Sequence, residues 1–136
     1  MYLSINGKID SGNIDARNWS SNAESEINLK GAELKATKAV KGNDGNIWLT
    51  SLNNIIVEDA KMETVNLPGA ENTAGGNVQL LAGQKVSVGT TDIDAVGNVD
   101  FISQGNDIVV DKTTIDTPKA TNATTIIPMP TSAYGL

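Results

Sequence analysis

The stretch Gly76–Ala95, GNVQLLAGQKVSVGTTDIDA, decides the fold. Val78, Leu80 and Ala82 recur at every second position, as do Val86 and Val88 and then Ile93 and Ala95. Period-two spacing puts each set on one face of a short strand. Gly83-Gln84-Lys85 and Gly89-Thr90-Thr91 separate the three runs and read as corners. One such unit cannot bury its own apolar side, so its partners must lie elsewhere in the chain.

They do, because the unit repeats. Gly45–Thr64, GNIWLTSLNNIIVEDAKMET, has Ile47 and Leu49, then Ile55 and Val57, then Met62 and Thr64. Eight residues separate Ile47 from Ile55, as they separate Val78 from Val86, and seven separate Ile55 from Met62, as they separate Val86 from Ile93. Gly97–Thr117 repeats it with Val99, Phe101, Ile108, Val110 and Ile115, and one extra residue near Gly105-Asn106. Gly12–Thr37 is a further copy, with an insertion over Arg17–Ser25 that carries Trp19. Residues 1–11 resemble the second half of a unit, so the chain reads as a segment cut from a longer protein. Lys38–Asp44 and Val65–Gly75 read as connectors. The tail, 118–136, has three prolines and reads as a cap or a mobile end, with Pro128 and Pro130 suited to blocking a strand edge.

Strict alternation, β-branched residues and a glycine in every unit exclude a helical reading. The expected fold is all-β, a parallel β-helix of about four and a half coils of ~20 residues, each coil giving about three strands that pair with their equivalents above and below. Like residues then stack: Ile14, Ile47, Val78 and Val99 in one column; Leu29, Val57, Val88 and Val110 in a second; Leu34, Met62, Ile93 and Ile115 in a third. Gly12-Asn13, Gly45-Asn46, Gly76-Asn77 and Gly97-Asn98 open the four units and mark one corner. Stacked Asn side chains there are expected to form an amide ladder, with Gly supplying positive-φ backbone.

Composition fits thin stacked layers: aromatics are only 4%, so Val, Ile, Leu, Ala and Thr must fill the core. The chain has neither Cys nor His. This removes disulfides, thiolate nucleophiles and zinc-thiolate sites, and with them the commonest general base. A net charge of −6 argues against nucleic acid and anionic membrane surfaces as partners. No run of about 18 apolar residues is present to form a membrane helix.

GNVQLLAGQKVSVGTTDIDA and GNVDFISQGNDIVVDKTTIDT resemble the repeats of the filamentous-haemagglutinin family, the large exoproteins of bacterial two-partner secretion. The resemblance covers roughly Gly12–Thr117. It implies a right-handed winding and a place in a fibrous shaft at the bacterial surface. It implies as partners a host-cell glycan or protein, or a neighbouring bacterial cell, and an outer-membrane transporter for the parent protein. Family members include adhesins, haemolysins and contact-dependent growth-inhibition effectors. The family's secretion domain carries Asn-Pro motifs, and this chain has no Asn-Pro dipeptide, so it does not read as that domain.

Candidate chemistry is sparse. Carboxylates gather at Glu58-Asp59, at Asp92 and Asp94, and at Asp107 and Asp111. Asp92 and Asp94 flank inward Ile93, so they point outward onto a solvated face. Arg17 is the only arginine, which weakens a lyase reading. Gly42-Asn43-Asp44-Gly45-Asn46 lacks the full calcium-loop pattern and reads as a turn. Lys30, Lys35, Lys38 and Lys41 read as a solvated basic edge. Asn18-Trp19-Ser20 and Asn122-Ala123-Thr124 match the glycosylation acceptor pattern.

Trp19 lies in a polar insertion, Trp48 alternates with inward Ile47 and Leu49, and Tyr134 sits in the tail. These three are the candidate contact surface, since outward aromatics stack on sugars or on a partner protein. The competing reading has Trp19 fold over the helix to cover apolar surface. No catalytic residue, metal or cofactor is expected. The expected role is a non-catalytic shaft segment of a secreted adhesin; the alternatives are the stick of a contact-dependent toxin or haemolysin and a carbohydrate-active β-helix. Open strand edges at the ends would favour end-to-end self-association.

Overall fold

The computed structural model describes residues 2–5, 7–20, 26–39, 45–70, 74–105, 107–117 and 124–128, with only the backbone for 2–5 and 124–128. Its strands come in triplets. The first is β1 (Tyr2–Ile5), β2 (Lys8–Ser11) and β3 (Ile14–Asn18); the second is β4 (Glu26–Lys30), β5 (Glu33–Lys38) and β6 (Ile47–Ser51). The third is β7 (Asn54–Glu58), β8 (Lys61–Asn66) and β9 (Val78–Ala82). Then follow β10 (Lys85–Gly89), β11 (Asp92–Asp94) and β12 (Val99–Ser103), and last β13 (Asp107–Asp111), β14 (Thr114–Asp116) and β15 (Thr124–Pro128).

Every third strand belongs to the same sheet. Three five-stranded sheets result: β1-β4-β7-β10-β13, β2-β5-β8-β11-β14 and β3-β6-β9-β12-β15, called here the first, second and third sheets. All pairings between neighbours are parallel. Parallel strands need a long crossover between partners, and here the crossover is the passage through the other two sheets. The architecture is that of a parallel β-helix.

The expected columns form in register. Ile14 pairs with Ile47, Ile47 with Val78 and Val78 with Val99. Leu29, Val57, Val88 and Val110 are aligned in the first sheet, and Leu34, Met62, Ile93 and Ile115 in the second. Apart from Val110, these columns and their neighbours Ile27, Ile55, Val86, Leu49, Leu80 and Phe101 make one continuous core. Each member packs against the same kind of side chain in the strands beside it, so the core has no wide centre and needs few aromatics. The last strands differ: Val110 is 36% exposed, and Ile108 and Ile115 are only half-buried, because no further strand among the described residues covers β13 or β14. β12, by contrast, has β15 alongside.

Each corner has its own device. Between the second and third sheets runs the Asn ladder. The Asn13 Oδ1 accepts from the Asn46 backbone N–H at 3.0 Å, Asn46 Oδ1 from that of Asn77 at 3.0 Å, and Asn77 Oδ1 from that of Asn98 at 2.8 Å. These rungs are side chain to backbone; an amide-to-amide contact joins Asn46 Nδ2 to Asn13 Oδ1 at 3.4 Å. The carbonyls of Asn46, Asn77 and Asn98 in turn accept from Ile14, Ile47 and Val78, each at 2.8 Å. The glycine before each Asn is not always there for positive φ. Gly45 has φ +70°, but Gly97 does not lie in that region; a Cβ on Gly97 would collide with the ladder oxygen of Asn77.

Between the first and second sheets, one residue per triplet adopts the left-handed conformation: Gly7, Gly31, Asp59, Thr90 and Lys112. Only two of the five are glycine. Between the third and first sheets a small polar column closes the turn. Asn18 and Ser51 are fully buried and align with Ala82 and Ser103. Asn18 Nδ2 donates to the Glu26 carbonyl at 3.0 Å, and Ser103 Oγ to that of Gln84 at 2.6 Å.

Three boundaries move from the sequence reading. Arg17 and Asn18 belong to β3 and pair with Thr50 and Ser51, so the insertion begins at Trp19. Lys38 and Val65 lie inside strands, and β5 pairs with β8 as far as Lys38 opposite Asn66. Lys38 is 3% exposed, so it is part of the packed structure and not of a solvated basic edge. Lys30 and Lys35 are exposed, and Lys41 lies outside the described residues.

Candidate functional site

On the third sheet, outward residues depart from plain polar decoration by carrying aromatic side chains. Alternation fixes which residues point out. On β3, Ile14 and Asn18 are buried, so Asp15 and Arg17 face solvent. On β6, Ile47, Leu49 and Ser51 are buried, so Trp48 and Thr50 face out. On β9, Val78, Leu80 and Ala82 are buried, so Gln79 and Leu81 face out. Register then builds two outward rows, Asp15–Trp48–Gln79 and Arg17–Thr50–Leu81. Neighbours within a row stand one strand spacing apart, about 4.8 Å.

Trp19 follows directly on β3 and completes a shallow groove of about 380 Å³ with these six residues. It is 50% exposed; Trp48 is half-buried beside Asp15 and Gln79. The two Trp candidates thus come together, which their separation in the sequence does not show. Tyr134, the third candidate, lies outside the described residues.

The groove is close to neutral. Arg17 clamps Asp15 through two bonds, Nε to Oδ1 at 3.0 Å and Nη2 to Oδ2 at 2.7 Å. These hydrogen bonds, and then the opposite charge, raise the Arg17 guanidinium above its ordinary value. Planar, bidentate pairing fixes the two side chains against each other and presents polar edges without net charge.

The other candidates remain separate. Asp92 is exposed and Asp94 half-buried on the outer face of the second sheet, and Asp107 and Asp111 are exposed on β13. The second sheet's outer rows alternate in charge at one end: Lys8 meets Glu33 at 3.1 Å, and Lys61 approaches Glu63 at 3.9 Å. These pairs are exposed and contribute little. Among the described residues no cluster of acidic side chains is arranged to hold a metal ion.

Asn18 cannot serve as a glycosylation acceptor in the folded chain. Its side chain is fully buried, donates to the Glu26 carbonyl and accepts from the Ser20 backbone N–H at 3.2 Å. Asn122 lies outside the described residues, as do residues 42–44 of the turn motif. The eight corner residues Gly12, Asn13, Gly45, Asn46, Gly76, Asn77, Gly97 and Asn98 occupy the corner before β3, β6, β9 and β12, with the three ladder rungs among them. No protein family, curated protein or solved structure matches the chain.

Proposed function

We propose that this chain is a non-catalytic shaft segment of a secreted bacterial surface adhesin, wound as a right-handed β-helix in about four and a half coils of ~20 residues. The observation that carries the reading is the unbroken stack of like side chains inside all three sheets. Such a stack commits the inward aliphatic residues of each strand to continuing the rod, and leaves the outer faces and the connectors free to vary. The resemblance of the repeat pattern to that of filamentous-haemagglutinin exoproteins supports the same role. The partners proposed are a host-cell glycan or protein, or a neighbouring cell, with an outer-membrane transporter exporting the parent protein.

A two-carboxylate hydrolytic centre needs a second acid within ~5–9.5 Å of the first. In the groove, Asp15 is the only carboxylate and its two oxygens are held by Arg17. This supports binding without turnover. A glycan array read for capture, followed by a hydrolysis assay on every captured glycan, tests the reading. Capture without released product is the expected result. Product release overturns the non-catalytic role.

A further inference from the structure

Both tryptophans of the chain line one groove, and the groove sets polar side chains beside them. We propose that the outer face of β3, β6 and β9 binds a neutral oligosaccharide, laid across the strands with its rings against Trp19 and Trp48. The inference rests on the adhesin reading and names the ligand class for it.

Four observations point to this ligand. First, a pyranose ring has an apolar C–H face and a rim of hydroxyl groups. Trp19 and Trp48 offer flat apolar surface, while Thr50, Gln79 and the Asp15–Arg17 pair offer donors and acceptors at its edges. Second, the charges cancel. Arg17 is already clamped to the one carboxylate of the groove, so an acidic sugar gains no free cation there and meets a chain of net charge −6. Third, successive side chains of each row stand one strand spacing apart, about 4.8 Å, close to the advance of one sugar ring along a chain. Fourth, the volume of about 380 Å³ falls at the lower end of ligand sites, which suits two or three rings. A protein partner would need about 800 Å² of contact with an apolar centre. The two rows instead mix charged and amide groups with the tryptophans. A shallow site of this kind binds weakly, and many copies of the parent protein on one cell would supply avidity.

Because the chain has only two tryptophans, its intrinsic fluorescence reads the groove directly. The test titrates the whole chain with neutral di- to tetrasaccharides of glucose, galactose, mannose and N-acetylglucosamine, and with acidic uronic-acid and sialylated sugars. At least one neutral series should shift the emission to saturation, and the acidic sugars should not. Trp19→Ala and Trp48→Ala should each weaken binding by about tenfold or more, read by calorimetry. Gln79→Ala, which leaves both aromatic surfaces in place, should weaken it severalfold; Asp94→Asn on another face should change nothing. If Trp48→Ala fails to fold, Trp19→Ala and Gln79→Ala decide. The proposal is overturned if no neutral sugar perturbs the emission, if only acidic sugars or a protein bind, or if binding survives loss of Trp19 and of Gln79. Cleavage of a bound neutral sugar would uphold this site and overturn the non-catalytic role; an unresponsive groove in a chain whose parent still captures glycans would do the reverse.

Discussion

β10 and β13 lie side by side in the first sheet and are nearly the same strand. Val86 pairs with Ile108 and Val88 with Val110. Yet Val86 and Val88 are fully buried, while Ile108 is half-buried and Val110 is 36% exposed. Both strands hold two aliphatic residues at the same inward positions, although Val109 adds a third on the outer face of β13; at the inward positions what differs is the number of strands alongside. β10 has β7 on one side and β13 on the other, whereas β13 has β10 alone among the described residues. β12 and β13 make the same point within one turn of chain: Phe101 on β12, which has β15 beyond it, is fully buried. In this architecture burial belongs to the stack and not to the strand, so equal substitutions should have unequal costs in the middle and at the end.

The largest contrast comes from charge. Val88→Asp places a carboxylate where no water reaches and no cation waits, which costs more than about 4 kcal/mol and removes most of a typical domain's stability. Val110→Asp puts the same group where it keeps contact with water, and should cost about 1 kcal/mol. Chemical denaturation of the two variants checks this. Equal losses would mean that the end of the stack is as closed as its middle.

The next contrast lies at the Asn corner. Asn46 is fully buried and its side chain both accepts from Asn77 and reaches Asn13. Asn46→Ala leaves the half-buried Asn77 N–H without its acceptor and should cost about 1–2 kcal/mol, whereas Asn98→Ala, on an exposed residue, should cost less than about 0.5 kcal/mol. Hydrogen exchange at the Asn77 amide should speed up in the first variant and not in the second. Thr64→Val gives an intermediate check. The Thr64 hydroxyl donates to the Gly76 carbonyl at 2.6 Å and accepts from the Val96 N–H at 3.0 Å, tying the corner below to the one above. Losing both bonds at constant shape should lower stability by about 1–3 kcal/mol in urea denaturation.

These contrasts also show which features could be read from residues alone. The columns were legible because identical spacing leaves only one register that puts Ile47 on Val78 and Val57 on Val88. Trp48 was legible as outward because alternation has a period of two. The meeting of Trp48 with Trp19 was not, since Trp19 lies beyond the last paired residue of β3, where no periodicity constrains it. Lys38 misled because lysine is rarely buried, and its place inside β5 follows from pairing with β8. The left-handed corner is hard to read for a different reason: Thr90 and Lys112 carry no residue-type signal, and Asp59 only a weak one, for a conformation that glycine adopts at Gly7 and Gly31.

That corner supplies the smallest effect and the only gain. Thr90 has φ +48°, a conformation poorly suited to a β-branched residue. At the equivalent Gly31 the chain uses glycine without penalty, and nothing stands within 4 Å of where its Cβ would be. The strain at Thr90 is therefore a matter of backbone and not of crowding. Left-handed backbone costs an L-residue about 1–2 kcal/mol, and glycine's extra freedom in the unfolded chain returns part of that. Thr90→Gly should accordingly raise stability by about 0.5–1 kcal/mol. Lys112→Gly relieves the same strain, at φ +48°, in the terminal corner after β13. Strands there have fewer neighbours and open more readily, so part of the relieved strain is already shed by local opening. Its gain should be smaller than that of Thr90→Gly. A larger gain at Lys112 in matched thermal melts would mean that the last corner is held as firmly as the corners inside the stack.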